Sequence, residues 1–248
     1  MTAALVAQGV TKRFGAVTAA DSLDIRIEPD SIVGLIGSNG AGKTTFLNMV
    51  TGYLRPDSGS IRLGEHTLDR LAPREITRLG VARSFQIPQL FGSLSVADNL
   101  ATAVGIARAT RADALAAGAA ARAVDELIEH FGLGPYRHRP AALLPEGVRK
   151  LLDVAMALVV RPRILLLDEP TSGVSAQEKF AIMDLVMSAV AGAQVTVLFV
   201  EHDMDIVRRY AQRVLAFYDG RIIGDGDPGA VLDTPDVRRY VIGEAAHA

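Results

Sequence analysis

Residues 37–45 read GSNGAGKTT, which places Gly37, Gly42, Lys43 and Thr44 at the spacing G-x-x-x-x-G-K-[ST]. A chain that closes around anionic oxygens must turn its backbone N–H groups inward, and glycine allows the dihedral angles and close approach this needs. The run Gly37, Ser38, Asn39, Gly40, Ala41, Gly42, Lys43, Thr44 and Thr45 therefore reads as a phosphate cradle. Lys43 reaches the β- and γ-phosphates and the Thr44 hydroxyl reaches Mg²⁺. A second pair, Asp168-Glu169, closes the apolar run ILLLD. Asp168 can join the oxygen shell of the metal, and Glu169 can act as general base on an attacking water. Acidic pairs that end strands are common; beside a phosphate cradle the pair gains a chemical purpose.

Such groups work only if secondary structure brings them together. Ser31–Ile36 is a short apolar run that ends at the glycine-rich turn, and a helix follows from Lys43, so the cradle sits in a strand–turn–helix unit. Ile164–Asp168 suits a strand buried on both faces. A helix is expected over about 176–190 and a second buried strand over Val195–Val200. Carboxylates at a strand end beside the cradle fall where an open α/β sheet places its ligands. The opening stretches Leu5–Val10 and Asp21–Ile27, parted by Gly15, read as β, as does Ile61–Leu63. Asp219-Gly220 between Val214–Tyr218 and Arg221–Ile223 signals a hairpin, and Pro228–Ile242 reads as short helices. From about Ala72 to His138 clear β runs are scarce, and Ala, Arg and Leu recur at helical spacing, notably over Arg111–Phe131.

Composition narrows the function classes. The 248 residues suffice for one large domain or two small ones, and 49% hydrophobic with 22% charged residues is a globular balance. A net charge of -2 argues against nucleic acid as a partner. With no cysteine, disulfides, thiol catalysis and zinc–thiolate sites are excluded. The N-terminus lacks the pattern of a secretory signal. The longest uncharged stretch, Leu185–Val200, is interrupted by Ser188, Gly192, Gln194 and Thr196, and falls short of the roughly 20 apolar residues of a membrane span. A soluble chain is expected, held at any membrane by another protein.

With these motifs in this order, the chain resembles the nucleotide-binding subunits of ABC transporters over residues 4–243. The resemblance implies an α/β fold: a P-loop NTPase core with a mostly parallel sheet, an N-terminal antiparallel β subdomain and an inserted helical subdomain. It implies one domain, with the core at about 1–85 and 160–243 and the helical part at about 86–159. It implies ATP and Mg²⁺ as ligands. Phe14, in KRFGA, looks like the aromatic residue that stacks on adenine. Gln86, in RSFQ, matches the glutamine that touches Mg²⁺ and the attacking water. His202, in FVEHDM, matches the histidine that contacts the γ-phosphate. His66, His130, His138 and His247 carry no such match.

Two stretches depart from the family. Its signature L-S-G-G-Q corresponds here to Leu144-Pro145-Glu146-Gly147-Val148. In the family the signature serine binds the γ-phosphate held by the other subunit; Pro145 has neither hydroxyl nor N–H. Glu146 brings negative charge towards that phosphate unless it turns away or pairs with Arg149 or Lys150. The family's S-A-L-D is here Ser172-Gly173-Val174-Ser175. Both changes fall on partner-facing surfaces, so an unequal pair with a related ATPase is expected, with a homodimer as the competing arrangement. Residues 83–100 and the C-terminal run GDGDPGAVLDTPDVRRYVIGE are similar to ATPases of branched-chain or hydrophobic amino-acid importers. That resemblance implies two permease subunits, an extracytoplasmic binding protein, and a place on the inner face of the plasma membrane. Related importers take urea, amides or aromatic acids. The alternatives are a soluble ABC-type ATPase for assembly or maintenance, and an ATP-gated binding module that hardly hydrolyses.

Overall fold

A computed structural model describes residues 5–110 and 117–243. Strands β1 (Leu5–Phe14), β2 (Val17–Ile27), β4 (Ser58–Leu63) and β5 (His66–Thr67) form an antiparallel sheet in the order β2-β1-β4-β5. A second sheet holds β3 (Ile32–Gly37), β6 (Val81–Ser84), β7 (Ile164–Asp168), β8 (Thr196–Val200), β9 (Arg213–Tyr218) and β10 (Arg221–Gly226), in the order β10-β9-β3-β8-β7-β6. Its strands run parallel except β10, which returns antiparallel along β9.

The parallel strands alternate between two cores, as a period of two requires of a sheet covered on both faces. Val33, Leu35, Leu166, Leu198, Leu215 and Phe217 pack towards the antiparallel sheet and α1 (Lys43–Val50). Ile36, Leu165, Leu167, Val197, Phe199 and Ala216 face the opposite core, with α5 (Glu146–Leu158), α6 (Ala176–Val190) and α7 (Met204–Tyr210). The remaining helices are α2 (Pro73–Arg78), α3 (Val96–Thr110), α4 (Ala117–His130), and the short α8 (Pro228–Leu232) and α9 (Pro235–Val237).

Three expectations are corrected. The first two strands are longer than their apolar runs, meeting at a tight turn around Gly15. β6 lies where β runs seemed scarce: only four residues long, with Arg83 inside it, it has no hydrophobic run to announce it. Past β6 the first helix, α3, begins at Val96, well before the Ala-rich stretch, while residues 111–116 of the expected helical run lie outside the described residues. The uncharged stretch Leu185–Val200 is split between α6 and β8, and no described helix is long and apolar enough to cross a membrane.

Candidate active site

β3 ends at Gly37 and α1 begins at Lys43, so the cradle is the turn between them. Gly37 (φ 154°) pairs with Phe217 of β9, and a Cβ there would run into the Phe217 carbonyl. At Gly42 (φ 108°) a Cβ would collide with the Ala19 carbonyl of β2. Both glycines are thus fixed by close backbone approach as well as by conformation. The turn is braced from outside: the Gly220 N–H donates to the Ala41 carbonyl (3.1 Å), and the Gly220 carbonyl accepts from the Asp21 N–H (2.8 Å). α1 starts from Gly42 with no side-chain cap, so its first N–H groups remain for an anion. Buried Lys43 donates to the carbonyls of Gly37 (2.6 Å) and Ser38 (3.0 Å). Burial pushes its ammonium below the usual lysine range, opposed by the charges of Glu169 and Asp168.

Residues 39–45, Gln86 and Glu169 line a cleft of about 320 Å³. Glu169 is the meeting point of the candidate catalytic groups. Gln86 Nε2 donates to Glu169 Oε2 (2.7 Å), and His202 Nε2 lies 3.0 Å from Glu169 Oε1. The three side chains come from the segment after β6, the end of β7 and the loop after β8. Glu169 itself takes a left-handed φ of 50°, which turns the chain out of the strand as the carboxylate enters the cleft.

Asp168 is buried, and its Oδ2 accepts from Arg83 Nη2 at 2.6 Å. The other arm of that guanidinium donates to Asn48 Oδ1 on α1 (2.6 Å), tying β6, β7 and the cradle's helix together. The exposed Thr44 side chain lies one residue into α1. Among the described residues no group of three or more His, Cys, Asp or Glu could cage a metal. A hydroxyl and one carboxylate suit Mg²⁺, which keeps waters and takes substrate phosphate oxygens instead of an all-protein cage. Phe14 is not among the lining residues of the cleft; half-exposed at the end of β1, it has Lys12 Nζ 5.7 Å from its ring.

The altered signature forms a regular helix start. Pro145 is the N-cap of α5, and Glu146 sits in its first turn with Arg149 Nη1 3.6 Å from its carboxylate. Ser175 caps α6 in a reciprocal box with Glu178. Four residues beside the site carried no sequence signal of their role. Arg83 holds Asp168; Lys150 and Asp153 of α5 reach the Gln86 segment; Glu201 accepts from the Thr171 N–H (3.0 Å) and hydroxyl (2.7 Å) and from the His202 N–H (3.3 Å).

A phosphate cradle at a strand–helix turn, with a strand-end carboxylate gripped by a glutamine and a histidine, defines a nucleotide-hydrolysing P-loop protein. The ABC transporter family model matches residues 20–172. The chain is 33% identical over 251 residues to the high-affinity branched-chain amino acid transport ATP-binding protein BraF of Pseudomonas aeruginosa, spanning 97% of this chain and 98% of that one. It is 33% identical over 250 residues to the corresponding protein LivG of Escherichia coli, with the same coverage. Among solved structures it is similar to the ADP conformation of an ATP-binding cassette of an ABC transporter (27% identity, TM-score 0.83, 98% of this chain and 100% of that one). A nucleotide-free cassette matches at 27% identity and TM-score 0.84, again with 98% and 100% coverage. The chain belongs to the ABC transporter family, as one of its ATP-binding, ATP-hydrolysing subunits. Membership of a transporter family decides against the soluble assembly or maintenance ATPase.

Proposed function

We propose that this chain hydrolyses ATP to drive an importer of branched-chain or related amino acids, or of small organic acids and amides. The observation that carries the hydrolytic part is Glu169 held between Gln86 and His202 at the mouth of the phosphate cradle. Likeness to BraF and LivG along nearly the whole chain supports the substrate class. In this reading residues 37–45 bind the phosphates, Lys43 neutralises the β- and γ-oxygens, and Phe14 stacks on adenine. Glu169 orients and deprotonates the attacking water, Gln86 positions that water, and His202 faces the γ-phosphate. Thr44, Gln86 and Asp168 would hold Mg²⁺, which when bound screens charge on the phosphates. Arg83 fixes the Asp168 carboxylate towards that task.

The chain acts as one cassette over residues 4–243, with its helical part, about 86–159, against a permease. It sits on the cytoplasmic face of the plasma membrane beneath two permease subunits, and an extracytoplasmic binding protein delivers the substrate. Its companion is a second, related ATPase: Pro145 and Glu146 make a weak signature for the companion's nucleotide, while this chain's own cradle is complete. The test is reconstitution of the chain with its genomically neighbouring permeases and second ATPase in vesicles, with ATP inside and the neighbouring binding protein and labelled leucine outside. ATP-dependent uptake that fails with Glu169→Gln is expected. Turnover without uptake of any amino acid, small organic acid or amide would overturn the substrate class, and absence of turnover would overturn the hydrolytic role. Changing the base of each ATPase in turn separates unequal from equal pairs; equal loss would count against inequality.

A further inference from the structure

Lys150 is a buried cation one turn past Glu146 on α5, and Glu146 is the foremost of the charges acting on it. Nζ donates to the carbonyl of Gln86 (3.2 Å), the carbonyl of Glu169 (3.0 Å) and the hydroxyl of Ser172 (3.0 Å). Two of these acceptors are the backbones of residues whose side chains meet in the active site. One turn further along, buried Asp153 accepts from the N–H groups of Phe85 (2.9 Å) and Gln89 (3.0 Å). The glutamine segment is thus gripped by α5 on both sides of Gln86, and Lys150 extends the grip to the catalytic carboxylate's own turn.

A lysine buried in this way loses hydration, and burial does push Lys150 below the usual lysine range; the charges of Glu146, Glu201, Glu169 and Asp153 work in the opposite direction. An apolar residue could fill the same space without that cost. What the ammonium adds is three donors on one atom, able to hold two loops from one helix at once. The left-handed turn at Glu169 needs such an anchor, since its backbone conformation is unfavourable without surrounding restraint.

We infer that Lys150 is a positioning residue for ATP hydrolysis: it couples the first turns of α5 to Gln86 and Glu169, so that a shift of this helix moves the water-orienting and proton-accepting groups together. The inference rests on the hydrolytic role given above and extends it to a residue that is not among those lining the cleft. Its physical consequence is a link between two sites. The exposed start of α5 faces the companion's nucleotide in the proposed pair, and its buried side holds this chain's own catalytic loops. A ligand pressing on Pro145 and Glu146 therefore acts on Glu169 through one side chain.

The test compares wild type, Lys150→Met and Lys150→Arg in the assembled transporter, with turnover read as phosphate release and affinity read with trinitrophenyl-ATP. Methionine keeps the stem and removes the donors; arginine restores donors. The expected result is a fall in kcat of about 10- to 100-fold for K150M, the range for misplaced reacting groups, with partial recovery in K150R. Nucleotide affinity should stay within about twofold, since transition-state positioning and ground-state binding separate in this way. Combined with Gln86→Ala, K150M should cost less than the product of the two single losses. Unchanged kcat in K150M, a parallel loss of affinity, or strict multiplicativity with Q86A would each overturn the inference. If K150M does not fold, Lys150→Gln gives the reading with a shorter donor: reduced kcat at unchanged affinity supports the role, and unchanged kcat refutes it. A wild-type complex without turnover would instead strike the hydrolytic role itself.

Discussion

At the scale of single residues, Glu169 gathers the chemistry. Its side chain takes a proton donor on each oxygen, Gln86 on one and His202 on the other when Nε2 carries the proton. Both contacts orient the carboxylate without neutralising it as a lysine would. Glu169→Gln keeps the shape and removes the base, so turnover should fall by about 100- to 10,000-fold while nucleotide binding persists. Phosphate release together with trinitrophenyl-ATP titration checks this; equal losses in both would mean that Glu169 serves binding. Glu169 was legible in the sequence because it ends an unbroken apolar run, and Gln86 and His202 because RSFQ and FVEHDM resemble family motifs. Arg83 and Glu201 were not. Arg83 meets a carboxylate 85 positions away, and Glu201 meets Thr171, 30 positions away, so neither pairing leaves a local pattern.

At the scale of elements, the same contrast recurs. α6 and β7 could be read within a residue because Ser175 begins the one and an unbroken apolar run makes the other. β6 escaped because VARS has neither alternation nor length, although its pairing with β7 delivers Arg83 to Asp168. α5 falls within the expected helical part, but nothing in its sequence marks Lys150 and Asp153 as facing inward. Its outward charge, Glu146, has a double effect: it favours the helix dipole, yet it repels any phosphate brought to that end. Glu146→Gln should therefore tighten nucleotide retention in the assembled pair by about two- to fivefold, the equivalent of a single helix-end charge. Nucleotide trapping with and without the substitution measures this; weaker trapping in the variant would show that the Glu146–Arg149 contact matters more than the repulsion.

At the scale of the whole molecule, burial of acids and bases sets how stability follows pH. Burial lifts Asp153 and Glu201 above their ordinary values of 3.8 and 4.5, against hydrogen bonds that favour the charged forms. Between each ordinary value and its lifted one, the folded chain holds a proton that the unfolded chain has released. The stabilisation from these groups is thus full below the ordinary value and is lost as pH rises through the lifted one. Comparing wild type with Glu201→Gln by denaturant unfolding should show the difference moving in favour of wild type as pH falls towards 4.5. A pH-independent difference would contradict the assignment. The overall architecture was legible because the motifs arrive in a fixed order, but the mutual support of distant segments was not. Every residue read as a nucleotide or metal contact lies at or before His202, yet Gly37 lies against Phe217 and the Ala41 carbonyl receives its hydrogen bond from Gly220. A fragment trimmed just past the histidine would carry all the emblems of a cassette and still lack the wall that shapes its phosphate grip. The smallest working piece of this chain is set by the last hairpin, and motif inventories underestimate it.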